Sequence, residues 1–287
     1  MLSTATKMRI ARILYRVIHG TRRPFGGEDR VRVRRRGVAW ELDLREGIDL
    51  TIYALGAFEI PTLRVLDSAV KEGATVLDIG ANIGAHTLHL ARLVGEKGQV
   101  IAFEPTDYAI AKLRANLKAN PALEPRVKVH QVFLVARPEQ ALVGSLASSW
   151  PVDGTTPDDA QMGSRAMALS GAEAVTLDSI MEAAGNPRVQ LIKMDIDGHE
   201  LEALQGAQSL LARDRPIIVM ELAPYVFNPV EKFDEMVKLL VRANYGFHPL
   251  GSARELPRDP AALRALISLE ASVNVVAFPV PGEAANK

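Results

Sequence analysis

The sequence contains no cysteine, and this absence excludes several kinds of chemistry together. Without thiolates the chain has no disulfides, no iron–sulfur clusters, no cysteine nucleophile and no cysteine-ligated zinc site. Net charge is absent as well, because Lys plus Arg and Asp plus Glu number 34 each. Aromatic residues are scarce at 5%, which leaves few rings on which bases could stack. We therefore expect no nucleic-acid partner.

Long apolar runs are also missing. The chain has no stretch of about 18 apolar residues, the length that a membrane-spanning helix needs. Its N-terminus lacks the apolar core and small-residue cleavage site of a secretory signal. We expect a cytoplasmic protein. Hydrophobic residues still make up 48% of the 287 residues, which is enough to bury a sizeable core.

One local charge asymmetry lies at the N-terminus, where residues 1–36 contain ten arginines and only two acids, Glu28 and Asp29. Within residues 9–18, apolar side chains recur at helical spacing between arginines, which predicts a basic amphipathic helix. We interpret this helix as a lid packed on its own domain or on a second subunit of a homodimer. Contact with a membrane surface is the alternative.

From residue 75 onward, short apolar runs alternate with amphipathic helical patterns. The predicted strands cover about 75–78, 100–103, 127–132, 191–195, 217–221, 245–249 and 272–278, and the predicted helices about 60–71, 84–94, 107–119, 199–212 and 230–243. Parallel neighbouring strands need helical crossovers of this length. The alternation therefore predicts an α/β fold with a doubly wound, mostly parallel, seven-stranded sheet.

We divide the chain into an N-terminal extension of residues 1–45, a main domain of residues 46–280 and a tail of residues 281–287. The extension holds the basic helix and a predicted strand over 31–44. Residues 133–174 interrupt the alternation with repeated Pro and Gly. We interpret this segment as a substrate-side insertion that contains short strands or a hairpin.

Acidic residues follow the predicted strands at one end. Asp78, Glu104, Asp195 and Glu221 each lie at or just past the carboxyl end of a strand. Ligands of open α/β sheets bind beyond these ends, and a buried acid needs a ligand, a donor or water. The four acids therefore predict the binding site.

The turn after the first of these strands is rich in glycine, with the sequence Gly80-Ala81-Asn82-Ile83-Gly84. Gly80 would permit positive φ, and Gly84 would permit a ligand to approach the backbone closely. A dinucleotide-binding loop has a further glycine where this chain has Asn82, and it places a pyrophosphate near the helix N-terminus. Because Asp78 would repel that pyrophosphate, a dinucleotide-dependent dehydrogenase is disfavoured.

Glu104 ends the next strand, in the sequence Phe103-Glu104-Pro105. An acid at this position can accept both hydroxyls of a ribose. Together with the loop from Asp78 to Gly84, it predicts a nucleoside ligand without phosphates. S-adenosylmethionine, which carries an adenosine ribose, a sulfonium and an amino-acid end, fits this description.

Several segments resemble the FkbM family of methyltransferases: 76–84, 103–105 and 192–200, and also 52–59, 177–178 and 215–221. The resemblance covers about residues 45–225. It implies a Rossmann-like class I methyltransferase sheet whose last strand inserts antiparallel, and O-methylation of small molecules, sugars or lipids. It also makes Tyr53 and Glu59 candidates on the substrate or cofactor side.

Methyl transfer is an in-line displacement, so positioning can supply most of the catalysis. A hydroxyl acceptor must also lose a proton, which requires a nearby base or metal ion. We take Asp195, Asp197 and His199 as catalytic candidates, with Asp195 also in reach of the cofactor. The alternative for His199 is an exposed residue at a helix start, and Glu200 there is equally explained by the helix macrodipole. Lys193 points to the same side as Asp195 and is expected to pair with an acid.

Magnesium is a lesser alternative for this end of the sheet. Asp195, Asp197 and Glu221 together offer the carboxylate oxygens that Mg²⁺ prefers. The same three acids can equally bind the amine of the cofactor or the hydroxyls of an acceptor. We therefore assign no metal.

The sequence argues against two classes of methyl acceptor. Methylation of cytosine C5 requires a cysteine, and methylation of exocyclic amines usually goes with Asn-Pro-Pro-Tyr or Asp-Pro-Pro-Tyr, whereas this chain has Asp195-Ile196-Asp197-Gly198. We expect an oxygen acceptor on a small molecule, sugar, lipid or natural product. A catalytically silent S-adenosylmethionine-binding protein is the rival hypothesis, although it would not need the acids at the strand ends.

Overall fold

The computed structural model describes residues 4–139, 144–155, 164–268 and 271–281. Its N-terminal part contains the helix α1 (Thr4–Arg22), the strands β1 (Arg30–Arg35) and β2 (Val38–Asp43), and the helices α2 (Gly47–Leu55) and α3 (Ile60–Ala69). The later strands are β3 (Thr75–Ile79), β4 (Gln99–Phe103), β5 (Val127–His130), β6 (Val132–Leu134), β7 (Ser145–Ser149), β8 (Arg165–Ala168), β9 (Glu173–Val175), β10 (Val189–Met194), β11 (Ile217–Leu222), β12 (Tyr245–Pro249) and β13 (Val273–Pro279). The later helices are α4 (Thr87–Leu93), α5 (Asp107–Lys118), α6 (Leu177–Ala183), α7 (Glu200–Gln205), α8 (Gln208–Asp214), α9 (Glu231–Arg242) and α10 (Pro260–Leu266).

Seven strands form the central sheet, in the order β12-β13-β11-β10-β3-β4-β5. The neighbours from β11 to β5 pair in parallel. The last strand, β13, is antiparallel to both β11 and β12. The prediction of a doubly wound, mostly parallel, Rossmann-like sheet of seven strands is confirmed, and the last strand inserts antiparallel as expected.

Both faces of the sheet are covered, because alternate residues of each strand point to opposite sides. Leu77 and Ile192 pack on one face with residues of α6 to α9. Val76 and Leu191 pack on the other face with residues of α3 and α4. All four side chains are fully buried. This two-sided burial leaves the carboxyl ends of the strands as the place where a ligand can reach the sheet.

The prediction of one strand over 31–44 is wrong, because this segment is the hairpin of β1 and β2. Arg36 and Gly37 form the turn with φ of 48° and 80°. Two successive residues at positive φ suit a tight hairpin, but the apolar alternation runs on through them and hides the turn.

Two predicted helices also differ from the structure. The helix predicted over 84–94 begins at Thr87. The helix predicted over 199–212 is divided into α7 and α8 at Gly206, where a Cβ atom would lie 2.3 Å from the carbonyl oxygen of Val135. The chain can pass so close to its neighbour only without a side chain. The helix α10 had no counterpart in the prediction.

The expected insertion contains short strands in its described part. β6 and β9 pair in parallel, and β7 and β8 form an antiparallel pair. Residues 140–143 and 156–163 of the insertion, and residues 282–287 of the expected tail, lie outside the described residues.

The inner face of α1 packs on the main part of the chain, where Tyr15 contacts a cluster with Leu44, Leu50 and Val152. This packing agrees with the interpretation of α1 as a lid on its own domain. None of the helices in the described ranges is both long and apolar enough to cross a bilayer.

Asn116 of α5 joins three parts of the fold. Its side-chain oxygen accepts a hydrogen bond from the backbone N–H of Glu41 at 2.9 Å, and its side-chain nitrogen donates to the carbonyl of Ile83 at 2.9 Å. Asn120, one turn later, makes a similar pair of bonds with Ala39. Both asparagines are buried, so they tie the β1–β2 hairpin and the glycine-rich turn to one helix.

We expect Asn116→Ala to lower the free energy of unfolding by about 2–4 kcal/mol, because it removes the partners of the buried Ile83 carbonyl and of the partly buried Glu41 N–H. Chemical denaturation measures this change. Arg114→Ala, an exposed change on the same helix, is the control and should stay within about 0.5 kcal/mol of the wild type. Equal stabilities of the two variants would contradict the role given to Asn116.

Candidate active site

A cavity of about 890 Å³ lies at the carboxyl ends of β3, β4, β10 and β11. Met8 and Ala11 of α1 line one part of it, and Ser148 and Trp150 of the insertion line another. Most residues predicted from the sequence are brought together here: Glu59, Gly80, Ala81, Asn82, Glu104, Asp195, Asp197, His199 and Glu221. Tyr53, Asp78 and Gly84 are not among the described lining residues.

Gly80 has a φ of +81°, and a Cβ atom on it would lie 1.9 Å from the carbonyl oxygen of Asp195. Only glycine fits, and its absent side chain lets the ends of β3 and β10 meet. Gly84, with a φ of +93°, instead faces α5, where a Cβ atom would lie 2.7 Å from Leu113 Cδ1. The close approach expected at Gly84 is therefore to a helix and not to the cavity.

Glu104 is held rigidly at the end of β4. Its Oε1 atom accepts hydrogen bonds from the Thr106 backbone N–H at 2.9 Å and the Thr106 hydroxyl at 2.6 Å. Its Oε2 atom accepts one from the backbone N–H of Asn82 at 2.9 Å. Burial raises the pKa of Glu104, and these hydrogen bonds oppose the rise. Because a carboxylate offers about four lone-pair positions, Oε2 can accept one further hydrogen bond from a ligand.

Asp78 lies behind the glycine-rich turn, fully buried. Its Oδ2 atom accepts a hydrogen bond from the Thr87 hydroxyl at 2.6 Å, while Oδ1 has no partner among the described residues. Burial raises the pKa of Asp78, and the charge of Lys193 opposes the rise. This position gives Asp78 contact with the first turn of α4 and no direct contact with the cavity.

Tyr53 also serves the scaffold. Its hydroxyl accepts a hydrogen bond from Arg22 at 2.8 Å, and the guanidinium groups of Arg22 and Arg35 lie 5.5 and 5.1 Å from the centre of its ring. Such cation–π contacts help to fix α1 and β1 against α2.

Three acids of the cavity lie close together. One carboxylate oxygen each of Asp195, Asp197 and Glu221 lie within 4.8 Å of one another. The buried Lys193 places its Nζ atom 3.4 Å from Oδ2 of Asp195, so it pairs with an acid as expected. Ser272 donates a short hydrogen bond to Glu221.

Glu59 adds a further acid, at the start of α3 with a φ of 48°. Its Oε2 atom accepts a hydrogen bond from the Thr62 hydroxyl and lies 3.6 Å from Nε2 of His86. Burial and then the charge of Asp195 raise the pKa of Glu59. Burial lowers the pKa of His86 well below its ordinary value, which keeps the ring neutral near pH 7.

Asp197 and Glu221 have pKa values above their ordinary range. Burial, and then the charges of Asp195 and Glu200, raise the pKa of Asp197 to about 8. The Asp197 side chain is exposed to the cavity, so water in the cavity screens part of this effect. Burial and the charge of Asp195 raise the pKa of Glu221 to about 7. A cation bound among these groups would favour their charged forms.

Glu200 faces away from the cavity and organises the loop before α7. Its carboxylate accepts hydrogen bonds from the backbone N–H groups of Ile196 at 3.1 Å and Gly198 at 3.0 Å. Between these two residues Asp197 has a φ of 48°, an uncommon conformation for a residue with a side chain. Burial raises the pKa of Glu200 to about 7. Glu200 therefore sets the position of Asp197.

His199 lines the cavity, with its ring edge-on to Phe133 at a centroid distance of 5.0 Å. Burial lowers the pKa of His199, so the ring is neutral near pH 7 and able to accept a proton.

Sequence reasoning missed Thr106, Ser148 and His86, which also line the cavity. Thr106 had a detectable signal, since it follows Glu104 by two residues and caps α5. The sequence contains no comparable signal for Ser148, because this residue belongs to the insertion and meets Thr106 only in the folded chain. The two hydroxyl oxygens lie 2.8 Å apart. His86 had no signal either, since a buried histidine cannot be distinguished from an exposed one by spacing.

Over much of its length the chain is similar to known methyltransferases. A family model described as "Methyltransferase FkbM domain" matches residues 78–249. The hexuronic acid methyltransferase AglP of Haloferax volcanii is 25% identical over 164 residues, which cover 56% of this chain and 61% of that protein. The chain thus matches about three fifths of the length of this curated relative.

Solved structures give more distant matches. A putative rRNA methylase from Clostridium thermocellum has a TM-score of 0.47 at 16% identity, over 76% of this chain and 95% of that one. A methyltransferase FkbM from Methylobacillus flagellatus has a TM-score of 0.44 at 16% identity, over 76% of this chain and 58% of that one.

We expect the unfolding temperature of the protein without ligand to fall by a few degrees as the pH rises from about 6.5 to about 8.5. Folding raises the pKa of Asp197 to about 8 and those of Glu200 and Glu221 to about 7. A raised carboxyl pKa stabilises the fold at low pH, and this stability is lost as the pH climbs through the folded value. Scanning calorimetry at several pH values between about 6.5 and 8.5 measures this change. Histidines with lowered pKa values titrate mainly below about pH 6.5 and therefore contribute little within this range.

Asp197→Asn should reduce the dependence of the unfolding temperature on pH, because asparagine does not titrate. Asparagine also tolerates the positive φ at this position. Glu235→Gln, an exposed change on α9, should leave this dependence unchanged. A wild-type unfolding temperature that rises over the window would show that the acids are not protonated in the fold.

Proposed function

The chain belongs to the FkbM methyltransferase family, and from that premise we propose that it is an S-adenosylmethionine-dependent methyltransferase acting on a hydroxyl oxygen. The observation that carries the proposal is the position of Glu104 beside the glycine-rich turn, at the edge of a cavity lined with acids. Such a cavity favours a nucleoside that carries positive charge.

The charge of the cavity fits this cofactor and opposes a dinucleotide. Among its described lining residues are five acids, Glu59, Glu104, Asp195, Asp197 and Glu221, and one lysine, Lys193. The sulfonium and amine of S-adenosylmethionine are cations and suit this field, whereas a pyrophosphate would be repelled.

The ribose would lie at Glu104. Oε2 would accept one ribose hydroxyl, and Oε1 could accept the second if the Thr106 hydroxyl turned toward the Ser148 hydroxyl, whose oxygen lies 2.8 Å from it. The adenine would lie on Val132, Phe133 and Leu134, apolar lining residues that follow the strand next to β4.

Proton removal is assigned to Asp197. The bound cofactor supplies an electrophilic methyl group, and the protein must orient the acceptor and take up its proton. A base with a pKa near the working pH is effective in this task, and Asp197 has its pKa raised to about 8. Asp195, paired with Lys193, stays on the cofactor side, and His199 is the alternative base.

The acceptor is proposed to be a sugar or another polyhydroxylated small molecule, since the curated relative is named for a hexuronic acid. Carboxylates of Asp195, Asp197 and Glu221 accept hydrogen bonds from hydroxyl groups but repel a second carboxylate. The reacting part of the acceptor is therefore a neutral hydroxyl, and any acid group of the same molecule points away from these residues.

We expect Glu104→Gln to weaken S-adenosylmethionine binding about 10- to 100-fold in titration calorimetry, the loss typical of a hydrogen bond to a charged group. Asp214→Asn is a matched control, because Asp214 is a largely buried acid at the amino end of β10, remote from the cavity. Binding of NAD in place of S-adenosylmethionine, or equal affinities in the two variants, would contradict the proposed cofactor site. Binding without methyl transfer to any acceptor would support a catalytically silent protein.

With Asp197 as the base, kcat/KM for S-adenosylmethionine, which reports the enzyme without bound cofactor, should rise with pH to a plateau above about pH 8, because only the carboxylate accepts the proton. Asp197→Asn should lower kcat about 10²- to 10⁴-fold with little change in cofactor affinity. The assay follows labelled methyl transfer to a panel of glucose, galactose and the corresponding uronic acids. A profile that levels off below about pH 6.5, together with a larger loss in His199→Gln, would assign the base to His199 instead.

The proposed reaction uses no metal ion. Asp195, Asp197 and Glu221 can hold Mg²⁺ through carboxylate oxygens, and chelation distinguishes the two mechanisms. We expect methyl transfer to persist in excess chelator. Activity lost with chelator and restored by Mg²⁺ would show that the three acids serve a metal.

A further inference from the structure

Most of the large hydrophobic side chains that are exposed to solvent lie in one short segment of the described chain. In the described ranges six such residues are more than half exposed: Ile10, Ile13, Val17, Phe25, Leu55 and Leu266. Four of the six fall between residues 10 and 25, and Phe25 is 89% exposed. Clustered apolar exposure of this kind marks an interaction surface.

Three of these residues lie on the outer face of α1, and Phe25 ends the short 3-10 turn that follows the helix. Ile10, Ile13 and Val17 follow the spacing of three and four that places side chains on one side of a helix. The opposite side of the helix is already occupied, since it packs on Leu44, Leu50 and Val152. The exposed face of α1 therefore takes no part in packing the helix on the domain.

Positive charge borders this apolar face. Arg9, Arg16 and Arg23 are exposed, and residues 4–27 contain no acid. The first acids after the helix are Glu28 and Asp29, and Asp29 is engaged by His19 at 2.9 Å. We use the name outer surface of α1 for Arg9, Ile10, Ile13, Arg16 and Val17 of the helix together with Arg23 and Phe25 of the turn that follows it.

We propose that the outer surface of α1 binds the surface of an anionic phospholipid membrane. An amphipathic helix with apolar residues flanked by arginines lies in the plane of such a surface. The charges select this partner over a second copy of the chain, because a symmetric dimer through α1 would bring two arginine-rich faces together. Each arginine near an anionic leaflet strengthens binding about fivefold.

The same helix connects this surface to the cavity. Met8 and Ala11 line the cavity from the other side of α1, so a bound membrane would lie roughly one helix diameter, about 10–12 Å, from it. The docking surface uses none of the residues that line the cavity, and it can be altered without changing the site.

Vesicle co-sedimentation of the full chain tests the proposal. We expect binding to phosphatidylcholine vesicles that contain about a third phosphatidylglycerol, weak binding to phosphatidylcholine alone, and a drop of at least about tenfold when NaCl rises from about 0.1 to about 0.5 M. Ile10→Ser/Ile13→Ser/Val17→Ser should lower binding at least about tenfold. Leu266→Ser, at a site of equal exposure on α10, should bind as the wild type does.

A second variant distinguishes loss of membrane binding from loss of folding. Arg9→Gln/Arg16→Gln leaves the apolar face intact and should lose most binding to the anionic vesicles and most of its salt dependence. Binding that is equal for both vesicle types, or absent from both, would overturn the proposal. Light scattering provides a further test of the proposal. If the wild type is a dimer and the triple serine variant is a monomer, α1 is a subunit interface and the proposal is wrong.

Discussion

Gly80 and Asp195 meet backbone to backbone where β3 and β10 end, and the geometry of the site depends on this contact. Any Cβ atom at position 80 would lie 1.9 Å from the carbonyl oxygen of Asp195. The backbone N–H of Asp195 also donates to the carbonyl of Ile79 at 3.0 Å. Because the two chain segments touch here, the glycine-rich turn and the acid-rich loop open into one cavity. A side chain at position 80 would separate them.

The cavity concentrates negative charge around one buried lysine. Lys193 is 4% exposed, and Asp195, Asp78 and Glu59 raise its pKa although burial opposes them. One cation cannot neutralise all these acids, so several keep raised pKa values. A ligand that brings positive charge into the cavity would be stabilised by this imbalance. The electrostatics of the scaffold thus favour a cationic cofactor before any contact with an acceptor is considered.

The N-terminal extension takes part in the site through its inner side. Met8 and Ala11 line the cavity, while Arg22 fixes α1 to Tyr53. Asn116 and Asn120 fix the β1–β2 hairpin to α5. The extension is therefore bound to the domain by partly buried hydrogen bonds, and the apolar side chains on its outer face do not contribute to that packing.

The sequence by itself determined the sheet, the glycine-rich turn and the acids at the strand ends. These features are local, since apolar periodicity sets each element and the ligand site of an open α/β sheet lies beyond the carboxyl ends of its strands. The sequence could not show that Glu200 accepts hydrogen bonds from the backbone of its own loop or that Gly84 faces Leu113. It also could not show that the segment 31–44 turns at Arg36. The tertiary structure also decided the contacts of Asn116 with Glu41 and of Thr106 with Ser148, which join residues 75 and 42 positions apart. Such contacts leave no periodic signal in the chain, because they depend on how separate elements pack and not on the spacing within any one of them.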